Sequence, residues 1–222
     1  MNLLLTSSGL RNETLLDALR DLLGKPFTSA NIVFVPTASV AEPGDHGWFI
    51  ADLVRLYGIG WRELNVLELN GLPQRMVLDR LLRADVIYVE GGNHYHLARS
   101  LTGNDLAEGF LEALENRVYV GVSAGSMIFS RNLTEHSADV IGDTADLHVL
   151  GAKTVQPPFG LFDWYLKPHL YSPNFPARDD AWADGIAERA DFPIYFIDDD
   201  TAIRVRDDKV DVVSEGRWRF HP

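Results

Sequence analysis

Short apolar runs that end on small residues, alternating with amphipathic stretches, constrain this chain more than any other feature. Residues 2–5 are the first run, followed by Ser7-Ser8-Gly9 and a predicted helix over 12–23 with Leu15, Leu16, Leu19, Leu22 and Leu23 at helical spacing. Residues 30–35 are the second, ending at Pro36-Thr37-Ala38-Ser39. The pattern then predicts a helix over 45–57 closed by Gly58 and Gly60, an alternating strand over 63–69 and a helix over 75–83. Residues 85–89 run into Gly91-Gly92-Asn93, a helix is predicted over 104–116, and Val118, Tyr119 and Val120 lead a further strand into Gly121. Such alternation implies an α/β fold, a mostly parallel sheet with helices on both faces, and ligands at the carboxyl ends of the strands. Strands at 193–197, 201–205 and 209–213, with 217–220 after Glu215-Gly216, read as a C-terminal antiparallel meander. No repeat or long linker divides the 222 residues, so one domain over 1–222 is expected.

Composition removes several function classes. A net charge of −12 argues against nucleic acid, which needs clustered Lys and Arg, but not against a small anionic substrate met by a single arginine. The absence of cysteine excludes disulfides, thiolate metal sites and a thiol nucleophile, and fits a reducing cytoplasm. No apolar run nears the roughly 18 residues of a bilayer span, and the first residues lack a basic signal-peptide region. The expected location is therefore cytoplasmic, away from membranes. Asp198-Asp199-Asp200 reads as a solvated turn rather than a metal site, because no histidine or second carboxylate cluster accompanies it. No metal or cofactor is expected.

Gly121-Val122-Ser123-Ala124-Gly125 matches G-x-S-x-G and is followed by the apolar Met127-Ile128-Phe129. A strand-to-helix elbow of this kind lifts the central serine out of the sheet, which makes Ser123 the candidate nucleophile. Attack on a carbonyl develops an oxyanion that needs two fixed N–H donors. Ala124, directly after the serine, supplies one, and the glycine pair Gly91-Gly92 can supply the other. A base is also required, and a group to hold it. Of seven histidines, His169 stands out in Leu166-Lys167-Pro168-His169, while His94 and His96 lie near the glycine pair. Between Ser123 and His169 the acids are Glu135, Asp139, Asp143, Asp146 and Asp163, and spacing does not choose among them.

Gly91-Gly92-Asn93, then Gly121-Val122-Ser123-Ala124-Gly125, then Pro168-His169, in that order, resemble the peptidase E (aspartyl dipeptidase) family, which also includes cyanophycinase. The resemblance runs from the opening Leu-Leu-Thr-Ser-Ser-Gly to the last strands. It implies a fold similar to class I glutamine amidotransferases, with Ser123 as nucleophile, His169 as base and acid, and Gly92 with Ala124 as the oxyanion hole. In aspartyl dipeptidases an acid follows the serine by about fifteen residues. Here that leaves Glu135 and Asp139, with Glu135 favoured for its longer reach. Substrates of such enzymes carry an N-terminal aspartate. Arg178 would bind its side-chain carboxylate, as a bidentate guanidinium does. Its competing reading is a surface arginine paired with Asp179 or Asp180. Asn93 and Glu90 complete the expected substrate contacts, Glu90 for the ammonium.

The expected activity is a serine-type dipeptidase acting on a small peptide partner; homodimer formation stays open. The rivals are a cyanophycinase-like β-aspartyl hydrolase, an α/β-hydrolase-type esterase, and a binding protein that has lost the acid.

Overall fold

The computed structural model describes residues 1–207 and 209–222. Its first half alternates β1 (Asn2–Thr6), α1 (Glu13–Leu23), β2 (Asn31–Val35), α2 (Gly47–Gly58), β3 (Glu63–Val66), α3 (Gln74–Arg83), β4 (Val86–Val89), α4 (His94–Gly103), α5 (Ala107–Leu114) and β5 (Val118–Val122). A short α6 (Ala124–Met127), a π-helical turn (Glu135–Ile141), α7 (Ala145–Val149), β6 (Tyr165–Lys167) and α8 (Asp180–Ala187) follow. β7 (Ile194–Ile197), β8 (Thr201–Arg206), β9 (Lys209–Ser214) and β10 (Trp218–His221) close the chain.

Seven strands form one sheet in the order β3-β2-β4-β5-β1-β8-β9, parallel from β3 to β1 and antiparallel from β1 outward. The expected mostly parallel architecture is present. The C-terminal strands divide their roles: β8 and β9 extend the main sheet, whereas β7 pairs antiparallel with β10 and parallel with β6 in a second sheet.

Side-chain alternation explains the two-sided core. Leu3, Leu5, Val33, Val35, Ile87 and Val89 face one layer with α3, α4 and α5; Leu4, Ile32, Phe34, Val86, Tyr88 and Val120 face the other with α1 and α2. α1 is bounded by its own sequence: the Asn12 side chain accepts from Leu15 N–H, and Gly24 ends the helix in a left-handed conformation at φ 68°. The predicted helix over 104–116 shortens to α5, and α4 precedes it. The polar Asn93, His94 and His96 mask α4 in the sequence, yet Asn93 caps it and Tyr95, Leu97, Ala98 and Leu101 are fully buried.

The chain leaves β1 toward the α1–α2 layer and leaves β4 toward the opposite one. β5 lies between β1 and β4, so its carboxyl end opens where the connections diverge, which is the place such sheets put a ligand. Tyr119 fixes that end from below. Its ring packs edge-on to Phe129 at 4.9 Å, and its buried hydroxyl donates to the Gly125 carbonyl at 2.6 Å. Among the described residues, no helix is long and apolar enough to cross a membrane. Tyr119→Phe strands the Gly125 acceptor and is expected to cost about 1–3 kcal/mol in denaturant unfolding. A change below about 0.3 kcal/mol would show that the bond does not secure the elbow.

Candidate active site

Ser123 follows β5 with φ 46° and ψ −105°, a backbone conformation that side-chain-bearing residues rarely adopt. Its N–H donates to Thr6 O at 3.0 Å, and Ser126 Oγ donates to the same carbonyl at 2.8 Å. The two flanking glycines are steric necessities. A Cβ on Gly121 would lie 2.8 Å from the Gly125 backbone, and one on Gly125 would lie 2.3 Å from Val89 O.

His169 comes to Ser123 from just beyond β6. Its Nε2 lies 3.0 Å from Ser123 Oγ and its Nδ1 lies 2.7 Å from Asp199 Oδ1. An anionic acceptor at Nδ1 keeps the proton there and leaves Nε2 free to accept from the serine. The ring stacks on Phe175 at 4.8 Å, and the residue sits at φ 66° with its N–H donating to Ser7 Oγ at 2.9 Å. Burial pushes the imidazole below its ordinary range, outweighing the opposing pull of Asp199. Asp199 is buried, which alone would raise its carboxyl; its partners win and bring it to about 2. Those partners are His169, Ser172 Oγ at 2.6 Å and Ser7 Oγ at 3.0 Å. Arg11 adds a guanidinium at 3.5 Å.

The carboxylate against His169 is therefore Asp199, and the expectation of Glu135 or Asp139 is corrected. The π-helical turn points His136, Ser137, Ala138 and Ile141 inward and leaves Glu135 and Asp139 on its exposed face. The other intervening acids are engaged elsewhere: Asp143 with buried Lys167, Asp146 with His94, Asp163 with Arg131. The reading of 198–200 as a solvated turn is corrected for its middle residue. Asp198 does cap the turn, accepting from Asp200 N–H and Thr201 Oγ1, while Asp199 turns inward.

Gly91, Gly92 and Asn93 wrap the other side of Ser123. A Cβ on Gly91 would come 3.3 Å from Ser123 Cβ, and one on Gly92, at φ 128°, would lie 2.4 Å from Ala38 O. Gly91 N–H donates to Glu90 Oε1 at 2.9 Å, Gly91 O accepts from Ser39 Oγ at 2.7 Å, and Asn93 N–H donates to Ala38 O at 3.0 Å. Among the described residues the Gly92 and Ala124 amides have no acceptor. The expected oxyanion donors are thus the amides that remain free beside the serine.

Two expected substrate contacts are corrected. Asn93 is buried with both ends of its amide in use, accepting from His96 N–H at 2.8 Å and donating to Asp146 O at 3.1 Å. Glu90 is buried on the α2 side, against Asp52, and faces no opening for an ammonium. His94 is likewise internal, with Nε2 2.9 Å from Ser137 Oγ. Arg178 is different. Tyr171 N–H donates to Arg178 O at 2.7 Å, and this clasp folds residues 171–178 back beside His169. The guanidinium lies 4.0 Å over the Phe175 ring and donates to Pro168 O at 3.2 Å. It forms no ion pair among the described residues, since Asp179 caps α8 and Asp180 is held by Arg217 and Arg219.

Sequence reasoning passed over Asp199, Ser7, Ser172 and Arg11.

The model for "Peptidase family S51" matches residues 3–213. A Drosophila melanogaster protein named "Probable alpha-aspartyl dipeptidase" is 28% identical over 96% of this chain and 86% of its own. The peptidase E of Streptomyces coelicolor is 28% identical over 78% of this chain and 66% of its own. A structure from Listeria monocytogenes, solved as a candidate peptidase E, superposes with a TM-score of 0.77 at 23% identity, covering 97% of this chain and 98% of that one. The fold it shares is the class I glutamine amidotransferase-like one. With a family model matched from the first strand to the ninth, the chain belongs to peptidase family S51 and is a serine-type peptidase by that membership.

Proposed function

We propose that the protein is a dipeptidase that hydrolyses peptides with an N-terminal aspartate through an acyl-enzyme on Ser123. The observation that carries the reading is Arg178: a half-buried guanidinium beside His169, stacked on an aromatic ring and without a carboxylate partner among the described residues. Desolvating a guanidinium is costly unless an anion meets it, and a substrate carboxylate is an anion of the right geometry. The Drosophila relative's printed name points to the same substrate class.

In the proposed reaction His169 Nε2 takes the Ser123 proton and Ser123 Oγ attacks the carbonyl. The Gly92 and Ala124 amides hold the resulting oxyanion, and Asp199 stabilises the imidazolium. His169 then protonates the leaving amine, water attacks the acyl-enzyme by the reverse proton path, and Ser123 is restored. Every step uses groups already in contact or left unpaired in the structure.

Ser123→Ala is expected to abolish hydrolysis and labelling by a serine-directed phosphonate. Asp199→Asn should lower turnover by about 10⁴, while Glu135→Gln and Asp139→Asn stay within about twofold of the wild type. A large loss in either surface variant, with Asp199→Asn active, would reject the assignment of the acid.

The reaction needs neutral His169, and its proton affinity is lowered by burial. Activity is thus complete at neutral pH and falls only as pH drops through a midpoint below the ordinary 6.5 of histidine. A kcat/KM profile with its acid midpoint above that value would contradict the buried, neutral imidazole.

Arg178→Met should reduce kcat/KM on Asp-p-nitroanilide on the order of 10–100-fold, the worth of a charge-assisted hydrogen bond. Any residual rate on Leu-p-nitroanilide should stay unaffected. Equal loss on both substrates would remove the arginine from specificity, and preference for a β-aspartyl peptide would favour the cyanophycinase-like activity.

A further inference from the structure

A buried acid cluster lies behind the glycine pair, on the α2 side of the sheet, and the reaction above leaves it unused. Glu90 and Asp52 are 1% and 7% exposed. Tyr88 donates its hydroxyl to Asp52 Oδ2 at 2.5 Å, and Arg55 donates to Asp52 Oδ1 at 2.5 Å. Gly9, from the loop after β1, roofs the cluster; a Cβ there would lie 2.6 Å from Tyr88 Oη and 2.7 Å from Asp52 Oδ1. The titratable groups facing Glu90 are Asp52 and Arg55 from α2 and its strand neighbour Tyr88.

Glu90 and Asp52 are buried neighbours in this cluster, and two ionised carboxylates held side by side away from water repel each other. One of them carries a proton. Asp52 already receives two donors, one of them cationic, whereas Glu90 Oε2 meets no donor among the described residues. The proton therefore belongs on Glu90, aimed at Asp52. Burial first, and the Asp52 charge second, hold the Glu90 carboxyl well above the ordinary glutamate range.

The other oxygen of Glu90, Oε1, accepts the Gly91 N–H at 2.9 Å. Together with the Ser39 hydroxyl on Gly91 O and the Ala38 carbonyl on Asn93 N–H, it pins the loop on both sides of Gly92. We propose that Glu90 is a positioning residue for the oxyanion hole: as a neutral acid it gives its hydrogen to Asp52, holds the Gly91 amide with its carbonyl oxygen, and so aims the Gly92 amide at the reacting carbonyl.

Glutamine reproduces both contacts, since its carbonyl can accept from Gly91 and its NH2 can donate to Asp52. Alanine makes neither. The first measurement needs no substrate. Above the ordinary glutamate value of 4.5, an unfolded chain has lost this proton while the folded one keeps it, so folding takes up one proton and wild-type stability falls as pH rises. Unfolding between about pH 5.5 and about pH 7 should show the wild-type folding constant dropping about tenfold per pH unit relative to Glu90→Gln. Parallel pH dependences would mean that Glu90 folds ionised, and would overturn the inference.

The second measurement rests on the peptidase reading. With Asp-p-nitroanilide, Glu90→Gln should stay within about threefold of wild-type kcat, while Glu90→Ala loses about 10–100-fold in kcat with KM little changed, a fraction of the cost of deleting an oxyanion donor. A glutamine variant as slow as the alanine one overturns the positioning role. A wild type inert on every aspartyl substrate but still taking up the proton would sink the substrate assignment and leave the protonated Glu90 in place; phosphonate labelling rates of Ser123 in the three proteins then read the same ranking.

Discussion

The carboxyl end of β1 is where the site is tied together. Thr6 O accepts the Ser123 N–H and the Ser126 hydroxyl, and the Thr6 hydroxyl donates to Gly121 O at 2.7 Å and accepts from Gly9 N–H at 3.0 Å. Ser7, one residue on, accepts from the His169 backbone, donates to Asp199 Oδ1, and gives its own N–H to Thr201 O. Residues 123, 169 and 199 come from three separate stretches of chain, and two adjacent residues hold all three. Because Ser123 and His169 both occupy positive-φ conformations, each costing on the order of 1–3 kcal/mol, this bonding is what keeps them there. Strain gathers where the chemistry is proposed to occur and is offset by a fully buried core around it.

The parallel sheet was legible because β1, β2, β4 and β5 bury both faces and so read as continuous apolar runs, while the exposed edge strand β3 shows only alternation. The elbow was legible for a related reason: two close backbone approaches, at Gly121 and Gly125, leave room only for glycine. The acid was not legible, because it lies outside the stretch between the serine and the histidine. Here the chain order is serine, histidine, acid, with Asp199 30 positions beyond His169 and delivered from the end of β7. β6 and β7 run parallel and paired, so both deliver their carboxyl ends to the same place, Lys167 opposite Phe196. That pairing involves a three-residue strand too short to announce itself in sequence. α4 was hidden by the opposite effect: its polar residues serve as cap and internal bonds, which blurs the apolar stripe that Tyr95, Leu97, Ala98 and Leu101 supply.

Arg178 shows how a residue type acquires meaning only from its surroundings. The sequence allowed a surface pairing with Asp179 or Asp180. In the structure Asp179 is consumed by the start of α8 and Asp180 by Arg217 and Arg219, so the guanidinium turns to Phe175 and to the histidine loop. Its strongest electrostatic neighbour, Asp143, is already bound to buried Lys167. One carboxylate bound between these two cations leaves capacity for another, and the side chain of the proposed aspartyl substrate is a natural source.

Two buried carboxyl groups serve the two sides of the site, Asp199 against His169 and Glu90 against the Gly91 amide, and their environments drive them to opposite protonation states. Asp199 accepts from an imidazole and two hydroxyls and has a guanidinium nearby, so it stays an anion that can balance a charged histidine. Glu90 has one amide donor and an anion for a neighbour, so the neutral acid is the favourable form. The difference is one of supply: donors converge on Asp199 from β1, the histidine loop and the segment leading into α1, while at Glu90 the donors of α2 and β4 are spent on Asp52. An anion at Glu90 would lie directly behind the amides proposed to receive the oxyanion and would oppose the charge forming there. Keeping that carboxyl neutral removes the opposing field, and it places the two halves of the reaction, proton transfer on one side and oxyanion stabilisation on the other, over groups whose charges agree with each task.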